Sequence, residues 1–429
     1  LLIGYSRILC IFVPMLKRNI LLVFAIAATL CMRAAEADSL SRWGVEVSAG
    51  PSRVLAPDRY CSMFLQNRHA DTYDIRFHFT SLPQDSDAFA QDYHYPTLGV
   101  GLKFNRTDVT MHRSAAPDWG MAEPVDYHSR LGNQWALYGS FTRPLWRWRR
   151  LMADYSLNFG VAYSHLKYSK ADNIDNELIG SRWLFYCNFG LHATWRVARD
   201  WGLKGGAEFY HFSNGTLNRP NKGANFFSPV VGLVYMPCYE QVYAHRHRPF
   251  AAPFHRYWYL DFAVGIGAKV PDEDWQLTQF GTPSTSPDYR RGRFRVYAAY
   301  SLQVSLMRRY ARRWASGAGL DVFYGTYSGH IASLDVAAGR QLSHSPWSMG
   351  LAARHEVYYH QLSLSLSLGA YVYRRMGHGA KLVEKPYYER LGIHYTFRRF
   401  NDLRVGVNIK AHLTKADFSE VVVGIPVRL

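Results

Sequence analysis

Residues 155–164 and 185–196 read YSLNFGVAYS and FYCNFGLHATWR, and both place bulky apolar side chains at every second position. Residues 362–368 (LSLSLSL) and 403–410 (LRVGVNIK) alternate in the same way. Because successive side chains of a strand point to opposite faces, this alternation predicts strands with one apolar and one polar environment. The chain is 48% hydrophobic and 15% aromatic with slightly polar mean hydropathy, which suits alternation rather than apolar blocks.

Twelve further segments have strand character and are separated by turn-rich or charged stretches. They are residues 42–50, 74–81, 95–104, 133–143, 202–213, 226–236, 256–269, 293–307, 314–326, 347–358, 387–398 and 419–428. The pattern predicts an all-β fold, a single transmembrane antiparallel β-barrel of about 12–16 strands over residues 38–429. Apolar residues would face outward, small and polar ones inward, with aromatic residues near strand ends. A soluble β-sandwich would also alternate, but with fewer Tyr and Trp at strand ends. Residues 237–253 are the only candidate break and are interpreted as a long loop.

Residues 1–37 are predicted to be upstream residues followed by a secretory signal peptide. MLKR at residues 15–18 is a positive start, an apolar run of about a dozen residues follows, and AEA at residues 35–37 is a small-residue cleavage site. The run is too short for a comfortable membrane span, although an N-terminal anchor helix is the alternative. Leu30 before Cys31 is not a small residue, which argues against a lipoprotein anchor.

The formal net charge is +17, but the leader exports the chain, so we expect no nucleic-acid partner. Basic residues interleaved with aromatic ones, as in RPLWRWRR at residues 143–150, suit phosphorylated glycolipid headgroups. Similar clusters lie at residues 245–248, 290–293 and 308–313, and ordinary solvated turns are the alternative for each. After the leader, Cys61, Cys187 and Cys238 are an odd, scattered set, which predicts neither a disulfide framework nor a metal site.

Residues 211–215 (HFSNG) and 220–225 (PNKGAN) carry the candidate chemistry. His211 and Ser213 share one face of a strand, where an imidazole can serve as base for a serine nucleophile. Lys204 and Glu208 have the opposite parity and belong inside a barrel, since charge on the lipid face is costly. His211, Ser213 and, on the next strand, Asn225 are therefore predicted to face lipid. A register slip of one residue would instead turn them into an ordinary polar lumen.

This combination resembles the lipid A 3-O-deacylase family of Gram-negative outer membranes, whose members are barrels with a Ser-His-Glu triad on the exterior. The likeness is dense over residues 95–235 and includes YPTLGVG at residues 95–101. The C-terminal half is similar to longer Bacteroidetes members known as acyloxyacyl hydrolases, with KAH at residues 410–412 and KADF at residues 415–418.

The resemblance implies catalytic roles for Ser213 as nucleophile and His211 as base. It implies oxyanion or substrate roles for Asn221, Asn214 and Gly215. The third triad position falls on Asn225, where the family has glutamate. Outer-membrane phospholipase A is similar here, because it uses Asn to orient its histidine. An amide can fix the tautomer of the imidazole but cannot stabilise an imidazolium as a carboxylate does.

The sequence thus predicts a serine esterase of the cell outer membrane that removes an ester-linked acyl chain from lipid A without a cofactor. The first alternative is a phospholipase A-like enzyme acting on glycerophospholipids, with calcium and dimerisation. The second is a non-enzymatic porin or structural barrel. The membrane lipid, lipid A or phospholipid, is the expected partner.

Overall fold

A computed structural model describes residues 42–112, 125–243, 253–413 and 415–429, so the predicted leader lies outside the described residues. Two closed antiparallel barrels of eight strands each dominate the fold. The N-terminal barrel consists of β1 (Trp43–Leu55), β2 (His69–Thr80), β3 (Thr97–Thr107), β4 (Gln134–Trp148), β5 (Leu151–Ser164), β6 (Trp183–Arg196), β7 (Trp201–Ser213) and β8 (Ala224–Tyr235). The C-terminal barrel consists of β9 (Tyr257–Lys269), β10 (Tyr297–Arg309), β11 (Trp314–Gly325), β12 (His344–Tyr359), β13 (Leu362–Met376), β14 (Tyr387–Phe397), β15 (Leu403–His412) and β16 (Lys415–Arg428).

Each barrel is a meander in which neighbouring strands pair and the first strand closes on the last. β1 pairs with β8 in the register Val47↔Leu233, and β9 pairs with β16 in the register Val264↔Val423. Every predicted strand overlaps one of these strands, so the all-β barrel class and the upper estimate of 16 strands are confirmed. The prediction of a single barrel over residues 38–429 is wrong, because the chain closes twice. Residues 237–253, the candidate break, fall in the chain between β8 and β9; the structure forms a helix at Tyr239–Tyr243 rather than a continuous loop, and residues 244–252 lie outside the described residues.

The lumen of each barrel is packed with side chains, as expected for eight strands. In the N-terminal barrel the Lys103 ammonium lies 2.7 Å from the Glu208 carboxylate, and Lys204 lies 2.9 Å from Glu46. Large aromatic residues also point inward, and Tyr210 stacks on Phe226 with ring centroids 5.1 Å apart. The expectation of small and polar inward residues is therefore incomplete, because a narrow lumen is also filled by large aromatic side chains.

The outer walls of both barrels are apolar. Outward residues at mid-strand, such as Val231 in β8 and Val264 in β9, are exposed, while their inward neighbours are buried. Trp43, Trp183 and Trp258 are exposed near strand ends. This is the surface of a membrane barrel with interfacial aromatic residues.

Helices are short and lie in the connections. They are α1 (Arg59–Phe64), α2 (Ala88–Asp92), α3 (Tyr239–Tyr243), α4 (Asp272–Phe280) and α5 (Ser328–Ala337), with 3-10 turns at Pro83–Asp85 and Arg398–Phe400 and a π turn at Gly379–Val383. No helix in the described ranges is long and apolar enough to cross a membrane. A small sheet of Leu65–Asn67, Thr110–Met111 and Ser129–Arg130 lies among the loops of the N-terminal barrel.

Most of the long connections lie at one end of each barrel, where the two barrels contact each other, whereas the long connection at residues 81–96 lies at the opposite end. Arg290, which follows α4, forms a fully buried ion pair with Glu177 in the β5–β6 loop at 3.0 Å. The barrels also touch at the opposite end, where the Tyr93 hydroxyl donates to the Tyr358 carbonyl oxygen at 2.8 Å. Because outer-membrane barrels have short periplasmic turns and long extracellular loops, the Glu177 end is the extracellular one.

Candidate active site

His211 and Asn225 are direct cross-strand partners at the extracellular ends of β7 and β8. The His211 Nδ1 and Asn225 Oδ1 atoms are 2.6 Å apart. Since an amide oxygen only accepts hydrogen bonds, Nδ1 must carry the proton, which leaves Nε2 as the basic nitrogen. The pair therefore provides an imidazole held in the tautomer that a general base requires.

This pair lies on the outer wall of the barrel. Along β7, Phe209 is 42% exposed, whereas its neighbour Glu208 is 2% exposed and bonded to Lys103 in the lumen. His211 and Ser213 share the parity of Phe209, and Asn225 shares that of the exposed Phe227 on β8. The alternation thus places the candidate residues on the lipid-facing side, and Glu208 is not available to His211.

Gly223 packs directly against the imidazole. Its φ is +78°, and a Cβ built on it would lie 2.5 Å from Cε1 of His211 and 3.3 Å from Nε2. The Gly223 amide donates to the Leu178 carbonyl oxygen at 3.0 Å, which fixes the loop over the ring. Glycine is required here both by the backbone conformation and by the space. The sequence signalled a turn at Pro-Asn-Lys-Gly but not this contact.

Ser213 is the last residue of β7 and is 8% exposed. Its hydroxyl has no hydrogen-bond partner among the residues that the structure describes, so the Ser213–His211 bond is not formed. Residues two apart on a strand have Cα atoms about 7 Å apart, a span that an imidazole and a hydroxyl can bridge by rotamer changes. Catalytic hydrogen bonds often tighten only when substrate binds.

The turn after Ser213 is organised by two asparagines. The Asn214 amide N–H donates to Asn221 Oδ1 at 3.1 Å, while Asn214 Oδ1 accepts from the Thr216 amide at 3.1 Å. Asn214 Nδ2 donates to the Asn218 carbonyl oxygen at 3.2 Å. Because both polar atoms of its side chain are committed, Asn214 holds the turn together. Among the predicted oxyanion residues, the side-chain nitrogen of Asn221 and the Gly215 N–H have no partner within the described ranges, so these two donors are available.

A cation lies in the same loop. Lys222 Nζ is 2.8 Å from Asp58 Oδ2 and 4.7 Å from the centre of the Tyr60 ring. Burial alone would lower the pKa of the Lys222 ammonium, but Cys61, Glu177 and Asp58 raise it above its usual value. Lys222 therefore stays cationic at neutral pH.

The predicted basic clusters are distributed over both ends. Residues 143–150 and 308–313 lie around the short turns, away from His211, and residues 245–248 lie outside the described ranges. Within residues 290–293, Arg290 is buried against Glu177, while Arg291 and Arg293 are exposed at the extracellular end. Headgroup contact by these two residues stays a prediction.

One group in the described part of the chain has ligand atoms close enough together for a metal, namely Glu384, His412 and Asp417. The Asp417 carboxylate is already paired with the ammonium groups of Lys269 and Lys410, and Glu384 is paired with Arg374. Three cations around two carboxylates leave no net negative charge to attract a metal ion. Cys61, Cys187 and Cys238 are free thiols.

Two family models match the chain, one over β3–β8 of the N-terminal barrel and one over the C-terminal barrel. Residues 94–234 match the model described as lipid A 3-O-deacylase (PagL). Residues 258–428 match the C-terminal domain of acyloxyacyl hydrolase. Each barrel thus matches a family model, the first that of lipid A 3-O-deacylase (PagL) and the second that of the C-terminal domain of acyloxyacyl hydrolase. The resemblance predicted from the sequence is therefore confirmed. It is a resemblance to outer-membrane hydrolases, which agrees with the apolar outer walls of both barrels.

Similarity to solved structures is distant, and no curated protein matches the chain. The chain is 15% identical to the outer membrane enzyme PagL, covering 44% of this chain and 97% of that one, with a TM-score of 0.26. Neisserial surface protein A is 8% identical over 46% of this chain and 97% of its own, with a TM-score of 0.27. A mutant porin of Rh. blastica is 8% identical over 90% and 99%, with a TM-score of 0.16. Scores this low carry no argument, so the assignment rests on the family models.

Proposed function

We propose that the N-terminal barrel is a serine esterase that removes an ester-linked acyl chain from lipid A, with Ser213, His211 and Asn225 as its catalytic residues. The observation that carries the proposal is the 2.6 Å bond between His211 Nδ1 and Asn225 Oδ1 on the lipid-facing wall, two residues from a serine. A base and a nucleophile on that wall can reach only a substrate that lies in the membrane. The matching family model, described as lipid A 3-O-deacylase, supports lipid A as that substrate.

The position along the barrel supports the same substrate. His211 and Ser213 lie at the extracellular end of β7, level with the outer leaflet, where lipid A resides. The exposed Phe209, Phe227 and Val231 continue the wall from this end toward mid-membrane. An acyl chain lying along that wall would bring its ester carbonyl to the level of Ser213.

The reaction follows from the available groups. Ser213 Oγ attacks the acyl carbonyl carbon while His211 Nε2 takes the hydroxyl proton. The Gly215 N–H and the Asn221 amide donate to the developing oxyanion. Collapse breaks the ester bond, and the imidazolium returns the proton to the departing sugar hydroxyl. Water then attacks the acyl-serine with His211 as base, which releases the fatty acid and restores Ser213. Asn225 keeps the imidazole in place throughout but adds no charge to stabilise the imidazolium.

Mass spectrometry of membrane lipids tests the proposal. Cells that express the wild-type protein should contain lipid A lacking one ester-linked acyl chain, whereas cells with Ser213→Ala or without the protein should not. Expression must be equal in the two protein-containing strains, with heat-modifiable migration as a check of folding. Identical lipid A in all three strains would refute the proposal.

The phospholipid alternative is read from the same samples, because Asn225 is the feature shared with phospholipase A. Lysophospholipid that depends on Ser213, with lipid A unchanged, would establish that alternative. Unchanged lipids of both kinds would leave a structural or pore-forming barrel.

A further inference from the structure

The C-terminal barrel contacts the loop that carries the proposed oxyanion donors. Ser419 of β16 donates from Oγ to the Gly215 carbonyl oxygen at 2.8 Å. Ser419 has the outward parity of Val421 and Val423, which are exposed, yet Ser419 itself is buried. The outer wall of the second barrel is thus covered at this point by the active-site loop of the first.

A second set of contacts holds the following residues of the same loop. The Val270 amide donates to the Thr216 carbonyl oxygen at 3.0 Å, and Arg219 Nε donates to the Val270 carbonyl oxygen at 3.3 Å. The Arg219 guanidinium also lies 3.4 Å from the Asp272 carboxylate, which is paired with Lys415 as well. Burial alone would raise the pKa of Asp272, but these cations lower it well below its usual value. Asp272 is therefore ionised at neutral pH, so the contact between Arg219 of the loop and Asp272 of the C-terminal barrel is an ion pair.

Gly215 is the point on which these contacts act. Its φ is +59°, and a Cβ built on it would lie 2.2 Å from Ser419 Oγ and 3.0 Å from the Phe185 ring. Gly215 is thus enclosed between β6 of one barrel and β16 of the other. Its own N–H, two residues beyond Ser213, has no partner among the described residues and is one of the two proposed oxyanion donors. The position of the Gly215 backbone depends on the Ser419 hydroxyl, which the other barrel supplies.

We propose that the C-terminal barrel positions the oxyanion loop of the N-terminal barrel, with Ser419 and Asp272 as positioning residues. The inference rests on the proposed function. The lumen of the C-terminal barrel is filled, and its charged groups are paired inside. Its role would instead be in the chemistry of the N-terminal barrel. The effect is preorganisation, because an oxyanion donor is effective only when it is held in place before the charge develops.

Steady-state deacylation of lipid A in mixed micelles by the full-length protein tests this. Ser419→Ala should lower kcat by roughly tenfold and leave KM within about twofold, since displacing a catalytic group by 1 Å can cost up to about a hundredfold. The rate at which a fluorophosphonate modifies Ser213 should fall by the same factor. Ser305→Ala is the matched control, because Ser305 is a buried serine of the same barrel whose Oγ has no partner in the described residues. Its kcat should equal that of the wild type.

The outcomes separate the two proposals. If the wild type is active and Ser419→Ala is equally active, the positioning role alone is overturned. The same holds if Ser305→Ala loses as much kcat as Ser419→Ala. A rise in KM with unchanged kcat also overturns it. If Ser419→Ala does not assemble in the membrane, Asp272→Asn decides in its place by the same criterion. A wild type that releases no acyl chain overturns the proposed function, and the positioning role falls with it.

Discussion

Gly223→Ala should inactivate the enzyme while leaving the barrel folded. The new Cβ would lie 2.5 Å from His211 Cε1, whereas carbon atoms pack at about 3.5–4.0 Å, so the ring or the loop must move by about 1 Å. A shift of that size disrupts the 2.6 Å bond to Asn225 and misplaces Nε2. We expect kcat to fall by about a hundredfold. The left-handed backbone adds a strain of about 1–2 kcal/mol. This strain is small beside the stability of a closed eight-stranded barrel.

Substitutions at two other glycines separate the effect of the backbone strain from that of the contact with His211. Gly339 has a φ of +69° with nothing within 4 Å of a built Cβ, so Gly339→Ala introduces the strain without the contact. Gly205 in β7 has open space and no positive φ, so Gly205→Ala introduces neither. The assay is lipid A deacylation in mixed micelles, with heat-modifiable migration and urea unfolding as measures of folding. A Gly223→Ala enzyme with kcat within twofold of the wild type, or an equal loss in Gly339→Ala, would refute the reasoning.

Three further predictions concern the triad, the membrane and metal ions. Asn225→Asp should retain or raise kcat, because a carboxylate also accepts from Nδ1 and stabilises the imidazolium. Asn225→Ala should lower kcat strongly. Equal rates in the wild type and both variants would remove Asn225 from the mechanism. Val264→Arg should destabilise the protein in lipid vesicles by about 2–4 kcal/mol, because Val264 is 57% exposed on the lipid face of the C-terminal barrel. Val336→Arg in α5, where the side chain is 73% exposed outside the barrel wall, should have almost no effect, and similar urea midpoints for both variants would contradict a membrane-embedded second barrel. Chelation by EDTA in mixed micelles should leave deacylation unchanged, because the carboxylates of Glu384 and Asp417 are neutralised by cations; loss of activity that calcium restores would favour the phospholipase alternative.

Strand positions followed from the sequence because alternation is a local property. Each strand of a meander pairs with its neighbours in the chain, and its apolar side chains must face lipid whichever barrel it joins. The four segments at residues 155–164, 185–196, 362–368 and 403–410 are strands with the predicted parity. The same parity assigned Glu208 to the lumen and His211 to the outer wall.

The number of barrels did not follow, because it depends on one pairing per barrel between strands distant in the chain. A single barrel would replace the β1–β8 and β9–β16 pairs with β1–β16 and β8–β9 and would keep every other pair. The available signal was the size of the inward residues. Tyr138, Tyr186 and Tyr210 point inward and fill a narrow lumen, whereas a barrel of sixteen strands would enclose a channel.

The sequence by itself determined the strands, their faces and the motif that pairs a histidine with a serine and an asparagine, since each of these is set by the spacing of residues close together in the chain. Only the tertiary structure decided that the chain closes twice, that Gly223 packs on His211 and that Ser419 reaches Gly215. The Ser419–Gly215 contact joins residues 204 positions apart, and no local pattern encodes which outer wall will meet which loop.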